Sequence, residues 1–348
     1  MTDHRPILPT RPLGRTPLRL TEIGFGAASL GNLHQRIDDA TARAAVHAAV
    51  AAGIGFVDTA PFYGRGLSER RVGDALREGP RDVILSTKAG RLLVPDATAA
   101  ADGERDGFLS PMPFRVAYGY SRDGILRSFE ASLHRLGLDR IDILLVHDIG
   151  RFVQGAAQDE YWTQLTRGGG FEALVSLREQ GAIKAFGLGV NEVQVCIDAI
   201  HAAPIDVLLL ANRYTLLEQT PLDALFPLCV ANGVSVIAGA PYNSGILATG
   251  TRGLGVPFHD YAPAAGEIVA RVRRIEDIAD AHRVPLAAAA LQFPLAHPCV
   301  ASVLPGIGTP GRLAQTLACY RFPIPDAFWR TLAAEGLLRD DAPLPMTG

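Results

Sequence analysis

The sequence has no C-x-x-C pair, and none of its four cysteines (Cys196, Cys229, Cys299 and Cys319) joins a histidine at metal-ligand spacing. In a chain this long that argues against a disulfide framework and a structural zinc site, and the thiols are expected as core residues of a reduced compartment. No metal is expected. There is no cluster of Lys and Arg, and the formal net charge is -3, so the basic stripe that a nucleic acid demands is missing. No apolar run reaches about 18 residues, so no membrane-spanning helix is expected. The opening residues MTDHRPILPTRPLGRT are polar and proline-rich and lack the apolar stretch of a secretory signal, which makes a cytoplasmic location the expectation. A glycine is also missing. Gly24-Phe25-Gly26-Ala27-Ala28-Ser29 lacks the third glycine of G-x-G-x-x-G and leads into no immediate helix, which argues against a doubly wound dinucleotide-binding sheet.

What is present is repetition. Hydrophobic residues make up 48% and charged residues 20%, the profile of a globular protein. Short apolar runs recur at Ile23–Ala27, Gly55–Asp58, Val83–Thr87, Ile141–Val146, Ile183–Leu188, Val207–Leu210, Val234–Ala238 and Val300–Leu304. Being continuously apolar rather than alternating, they suit parallel strands buried on both faces. Helix-like stretches lie between them: Asp38–Ala52, Ser68–Arg77, Arg122–Leu136, Gly170–Gln180, Glu192–Ala202 and Pro221–Asn232. Gly137, Gly181 and Gly233 follow three of these as left-handed caps. Eight β/α units without a break in composition predict an α/β fold, a single (β/α)8 TIM barrel spanning 14–335 between tails at 1–13 and 336–348. Three long segments, 90–120, 148–169 and 244–264, each follow a strand, which places them as loops on the C-terminal face where barrel active sites lie.

Polar residues end several of these runs: Asp58, Lys88, His147 with Asp148, and Asn191. Charge at a buried strand end is costly unless paired, and in a barrel these ends converge. Tyr63 lies five residues beyond Asp58, in a loop bracketed by Pro61 and Gly64 that leans a phenol over the mouth. A lysine beside that phenol is expected to lower its pKa from about 10 towards the working range. Asp58 would hold the lysine and His147 would orient a substrate oxygen, an arrangement suited to proton transfer at an alcohol or carbonyl.

Residues 55–76, GFVDTAPFYGRGLSERRVGDAL, resemble the active-site signature of the aldo-keto reductases. STKAG (86–90), DILLVHD (142–148), GAIKAFGLGVN (181–191), RYTLLEQ (213–219), NSGIL (243–247) and HPCVASVLPG (297–306) follow in the family's order and spacing, so that the resemblance covers residues 14–335. It implies a barrel that binds an extended nicotinamide cofactor without a Rossmann domain, and a catalytic tetrad of Asp58, Tyr63, Lys88 and His147. It places Asn191 at the nicotinamide amide, although GLGVN is one residue longer than the usual pattern. Ala211 stands where the family has a glutamine, with Asn212 adjacent. Tyr242, Asn243, Ser244 and Gly245 match the pyrophosphate segment, and Pro305, Gly306, Gly308, Thr309 and Arg312 match the adenosine loop. NADP-preferring members often carry a lysine where Gly306 stands, so NAD is the expected cofactor, with NADP as the other choice.

Within the family the chain is similar to the branch of D-threo-aldose 1-dehydrogenases and pyridoxal 4-dehydrogenases, through GRGLSERR (64–71), STKAGRLLVP (86–95), YSRDGILRSFEASLHRLGLDRIDILLVHD (120–148) and VPLAAAALQFPLAHP (284–298). The reaction implied is oxidation of the anomeric C1 of an aldose of the L-fucose, D-arabinose or L-galactose type to a lactone. Pyridoxal oxidation, or carbonyl reduction on the same tetrad, is the alternative. A small-molecule sugar or carbonyl substrate is expected, with Arg91, Tyr118, Trp162 and Arg213 as candidate contacts. The intact tetrad argues against a non-catalytic binding subunit. No residue pattern fixes an oligomeric state.

Overall fold

The computed structural model describes residues 8–100 and 102–346. The apolar runs form eight parallel strands: β1 (Phe25–Gly26), β2 (Phe56–Asp58), β3 (Ile84–Ala89), β4 (Ile143–His147), β5 (Ala185–Val190), β6 (Val207–Ala211), β7 (Ser235–Gly239) and β8 (Val300–Leu304). They neighbour one another in chain order. Parallel bridges from Ile23 to Val303 and from Gly26 to Gly306 then bring the two edges together and close the barrel. β5 starts two residues later than the apolar run suggested and runs on to Val190, and β3 extends through Lys88 to Ala89.

Successive side chains of each strand point alternately inward and outward. The inward set includes Phe56, Ile84, Ile143, Leu145, Ala185, Val207, Leu209 and Ile237. The outward set, including Val57, Leu85, Leu144, Val146, Phe186 and Leu208, packs under the helices. Six helices occupy the anticipated positions: α1 (Asp39–Ala51), α2 (Leu67–Arg77), α3 (Arg122–Leu136), α4 (Gly170–Glu179), α5 (Val193–Ala202) and α6 (Leu225–Asn232). The last is shorter than expected, because Thr220–Leu222 forms a separate 3-10 turn. Asp38 caps α1 by accepting from Thr41 N at 2.6 Å, and Gly137, Gly181 and Gly233 have φ of 62°, 74° and 63° at the ends of α3, α4 and α6. Two further helices, α7 (Gly266–His282) and α8 (Pro310–Arg321), complete the ring, and Asp326–Ala334 packs against α7.

The three long segments are not irregular. Arg91–Pro95 pairs antiparallel with Phe114–Tyr118, and the excursion between them carries a small hairpin, Glu104–Arg105 with Phe108–Leu109. Segment 148–169 is mostly helical, at Arg151–Gln154 and Gln158–Thr166. Segment 244–264 holds a short helix, Ile246–Thr249, and the hairpin Phe258–His259 with Ala262–Pro263. No helix among the described residues is long and apolar enough to cross a membrane.

The described parts of both tails pack on the barrel. Residues 1–7 and 347–348 lie outside the described set. Thr10–Pro12 pairs with Arg19–Thr21 in a hairpin whose Leu13, Leu18 and Leu20 join the interior cluster and stopper the amino end of the barrel. At the other terminus Leu337 and Leu338 are buried, and Arg339 N donates to Gln219 Oε1 at 2.9 Å. Truncating the wholly buried Leu20 to alanine should therefore destabilise the fold by about 2–5 kcal/mol, read from denaturant unfolding. A loss below about 0.5 kcal/mol would show that the stopper is not part of the packed core.

Candidate active site

The alternation that fills the barrel also delivers its polar groups. Asp58 pairs in register with Ser86, and Leu145 with Lys88, so Asp58, Lys88 and His147 are the inward residues at the carboxyl ends of β2, β3 and β4. The Lys88 Nζ donates to Asp58 Oδ2 at 2.6 Å and to the Thr59 carbonyl at 2.9 Å, and Ser86 Oγ donates to Asp58 Oδ1 at 2.5 Å. Both charged side chains are almost wholly buried, at 1% and 2% exposure. Across the barrel, a Cβ at Gly189 would sit 3.1 Å from Lys88 Cε, so a glycine leaves room for the lysine stem.

The β2–α2 loop brings the phenol. Tyr63 N closes a turn on the Ala60 carbonyl at 3.1 Å, and Gly64, at φ 62°, rests against Gly31 so closely that a Cβ on either residue would strike the other's backbone within 2.6 Å. Lys88 Nζ then lies 4.8 Å from the Tyr63 ring centroid, and the His147 ring stands edge-on to it at 6.0 Å. Phe108, from the small hairpin, packs over Tyr63 at 6.2 Å and over Phe62 at 5.5 Å.

Beneath this loop the signature residues hold the frame. Ser68 Oγ donates to the Ala27 carbonyl, and the wholly buried Glu69 accepts from Thr87 and Arg135. Arg71 reaches Asp39, the Leu30 carbonyl, Asn32 and the Ile37 carbonyl.

Electrostatics correct one expectation. Burial pushes the Tyr63 phenol up to about 12; the Lys88 charge pulls downward, as anticipated, but is outweighed, with Asp58 adding to the rise. For Lys88, burial works against the ammonium, yet Asp58 and Tyr63 raise its pKa overall, so it stays a cation. Burial draws the Asp58 carboxyl upward against the pull of Lys88 and Ser86. Burial, with Arg91 and Lys88 nearby, drives His147 well below the ordinary histidine value, so the ring is neutral near pH 7.

The expected substrate contacts divide. Arg91 and Tyr118 face each other as a strand pair at the mouth, with the Arg91 guanidinium 4.0 Å from the Phe62 ring and 5.8 Å from that of Tyr118. Arg213 is engaged, pairing with Asp260 at 2.8 Å and lying over Phe152 at 5.5 Å. Trp162 packs edge-on against Phe171 beside the helical core, and its neighbour Tyr161 instead joins the wall, 5.4 Å from Tyr118 and 5.3 Å from Tyr120. The sequence assigns no role to Asp148. It binds Arg91 through Oδ2, the same oxygen that lies 3.2 Å from His147 Nε2. Phe62 gives no sign of its packing in the sequence, since a hydrophobic residue in a loop does not show what it packs against.

The remaining expected residues lie in the segments that follow β5, β7 and β8. Asn191 Nδ2 donates to Tyr261 Oη at 3.0 Å, and Ser244 Oγ accepts from Tyr261 N at 3.0 Å. Asn243 is wholly buried; its side chain holds Thr215 Oγ1 and the Asn212 carbonyl and its N–H donates to the Ala240 carbonyl, so it braces the turn from within. Asn243, Ser244 and Gly245 have successive positive φ of 44°, 58° and 102°, a tight left-handed turn in which Asn243 N and Gly245 N donate to the Ala240 and Tyr242 carbonyls. Burial raises the pKa of the Tyr242 hydroxyl, with Arg312 from the segment after β8 pulling weakly against that rise. Thr309 caps α8 through Arg312 N, and Pro305, Gly306 and Gly308 carry the chain from β8 past β1 and Ser29. Beside Tyr261, Asn212 is wholly buried and leaves both its amide oxygen and nitrogen without a formed hydrogen bond among the described residues. An unsatisfied buried amide, with both a donor and an acceptor to offer, fits the carboxamide of a nicotinamide dinucleotide.

The comparisons agree with this geometry. The chain is 45% identical over 335 residues to pyridoxal 4-dehydrogenase of Microbacterium luteolum, covering 94% of this chain and 97% of that one. It is 37% identical to D-threo-aldose 1-dehydrogenase of a Pseudomonas species, covering 92% and 95%. An aldo-keto reductase of Bacillus halodurans in its holo form superposes with a TM-score of 0.74 at 25% identity, covering 95% of this chain and 97% of that one. The glycerol dehydrogenase of Gluconobacter oxydans shares the fold, with a TM-score of 0.71 at 22% identity over 99% and 98%. The Aldo/keto reductase family model matches residues 22–335, and the chain belongs to that family of nicotinamide-dependent oxidoreductases.

Proposed function

We propose that this oxidoreductase dehydrogenates the hydroxyl of a cyclic hemiacetal carbon, the anomeric C1 of an aldose of the L-fucose, D-arabinose or L-galactose type, giving a lactone. The observation that carries the reading is the buried Lys88–Asp58 pair set against Tyr63, with neutral His147 alongside. Tyr63 as phenolate takes the hydroxyl proton, Lys88 offsets the phenolate charge, Asp58 holds Lys88, and His147 hydrogen-bonds the same oxygen. The bound nicotinamide supplies the hydride acceptor. Asn191 and Asn212 would hold its carboxamide, the backbone of 242–245 its pyrophosphate, and Pro305, Gly306, Gly308, Thr309 and Arg312 its adenosine end. We read NAD as the preferred form, because Gly306 leaves Arg312 as the lone cation of the matched loop for a 2′-phosphate.

A second reading has a specific support, the 45% identity to a pyridoxal 4-dehydrogenase. Pyridoxal in water closes on its own hydroxymethyl group to a hemiacetal, so the same proton and hydride steps apply. The aromatic wall of Phe62, Tyr118 and Tyr161 suits a pyridine ring as well as a sugar face.

Assays with NAD⁺ and NADP⁺ against L-fucose, D-arabinose, L-galactose and pyridoxal are expected to show NAD-dependent turnover of at least one; silence with all four would sink the proposal. Tyr63→Phe should cost at least about a hundredfold in rate. Cofactor affinity by fluorescence titration should stay near wild type, and retention of near-wild-type turnover would remove Tyr63 from the mechanism.

Since the phenol sits near 12 without cofactor, alcohol oxidation at saturating cofactor should climb with pH between about 7 and about 10 as phenolate forms, whereas carbonyl reduction, which uses the protonated phenol, should not. A flat oxidation profile over that range contradicts this assignment. Finally, Gly306 is exposed and a Cβ there meets only Ser29 Oγ, at 3.4 Å, so Gly306→Lys is sterically tolerated. It should shift kcat/KM towards NADP by about tenfold or more, one charge-assisted hydrogen bond being worth about 1.5–3 kcal/mol. An unchanged ratio would remove the loop from cofactor choice.

A further inference from the structure

On a regular strand His147 and Asp148 would face opposite sides of the barrel wall. They do not, because Asp148 has a φ of 48°, a left-handed conformation at a non-glycine residue. That twist breaks the alternation, and both side chains enter the same pocket, with His147 Nε2 and Asp148 Oδ2 3.2 Å apart. The conformation is well secured. Asp148 N donates to the Gly189 carbonyl at 2.9 Å, and Gln154 Nε2 donates to the Asp148 carbonyl at 2.8 Å. Gln154 also donates to Tyr120 Oη, which in turn donates to the His147 carbonyl at 2.8 Å.

The carboxylate is used asymmetrically. Oδ2 takes both the Arg91 guanidinium and the His147 contact, while no hydrogen bond among the described residues reaches Oδ1. The side chain keeps 14% exposure at the mouth, whereas Arg91 beside it keeps 4%. Arg91 Nε is buried and also without a partner among the described residues. A half-used carboxylate thus opens beside the histidine that meets the reacting oxygen.

We propose that Asp148, clamped by Arg91, determines substrate specificity by accepting a hydrogen bond through Oδ1 from a hydroxyl that flanks the reacting carbon. This rests on the hemiacetal reading above and names the class within it. In an aldose the partner is the C2 hydroxyl; in pyridoxal it is the ring hydroxyl next to the carbon that bears the aldehyde. The two oxygens, on neighbouring carbons in an aldose and on carbons separated by one ring atom in pyridoxal, are met together, one at His147 and Tyr63, the other at Asp148. A molecule lacking the second hydroxyl leaves the carboxylate oxygen desolvated without a donor, which is the condition under which hydroxyl-reading sites discriminate most strongly.

The test uses cofactor-saturated enzyme and two substrate pairs that differ only in that hydroxyl: D-arabinose against its 2-deoxy analogue in oxidation with NAD⁺, and salicylaldehyde against benzaldehyde in reduction with NADH. Wild type should favour the hydroxyl-bearing member by at least about tenfold in kcat/KM, mainly through KM. In Asp148→Asn and Asp148→Ala the preference should shrink to within about threefold, the loss falling on the hydroxylated member. Equal loss on both members would mark Asp148 as a prop for His147 and overturn the proposal. So would a wild type that ignores the hydroxyl, fails to turn over either pair, or keeps its preference after substitution. Should Asp148→Ala melt early, the wild-type ratio and the isosteric Asp148→Asn decide. Discrimination in the salicylaldehyde pair without turnover of any sugar or pyridoxal would retire the hemiacetal reading and leave the role of Asp148 standing; turnover of those compounds without discrimination would do the reverse.

Discussion

The molecule is organised around two opposite charges held out of water. Removing an ammonium and a carboxylate from solvent costs several kcal/mol each, and attraction repays this only with close geometry and satisfied hydrogen bonds. Lys88 and Asp58 meet that condition because neighbouring parallel strands place them two residues out of register, with Ser86 and the Thr59 carbonyl completing the shell. Neither residue is tolerable alone at that depth. The pair therefore couples barrel register to chemistry: a slip of one residue in β3 would turn Lys88 outward into the helical layer and strand Asp58 in the interior.

The dense signature at 55–76 divides into two kinds of residue. Asp58 and Tyr63 face the site. Ser68, Glu69 and Arg71 lie behind it and tie α2 to the β1 side of the barrel, to β3 and to α3. The close approach of Gly31 and Gly64 belongs to this second kind, although Gly31 lies far outside the motif. Such residues make the loop rigid, so that the phenol is held in place before any substrate arrives, and the energy of binding need not be spent on ordering it.

What was readable from the residues follows the same division. Asp58, Lys88 and His147 stood out because a charged or polar group closing an apolar run contradicts burial, and the barrel explains all three at once. Segment 148–169 was taken for a loop because Arg151, Gln154, Asp159 and Glu160 break any apolar stripe, yet helices that lie over a rim need bury only one edge. Asp148 closes the same apolar run as His147, but the direction of its side chain depends on a single backbone dihedral that composition does not encode. For Tyr63 the lysine that lowers the pKa is visible in the sequence, but the depth of burial that outweighs it is not. The packing of Trp162 on Phe171 and the pairing of Arg213 with Asp260 likewise depend on tertiary neighbours that residue type does not reveal.

The hairpin that seals the amino end has a consequence for traffic. With Leu13, Leu18 and Leu20 filling the floor, the barrel is a blind well with one opening. Whatever reaches Tyr63 must leave by the way it came, past the rim built from the segments after β3, β4 and β7. Ligands share that doorway and must queue through it. The floor lies at the far end of the barrel from Tyr63, so its side chains can change for the sake of stability without touching the order of arrivals and departures above.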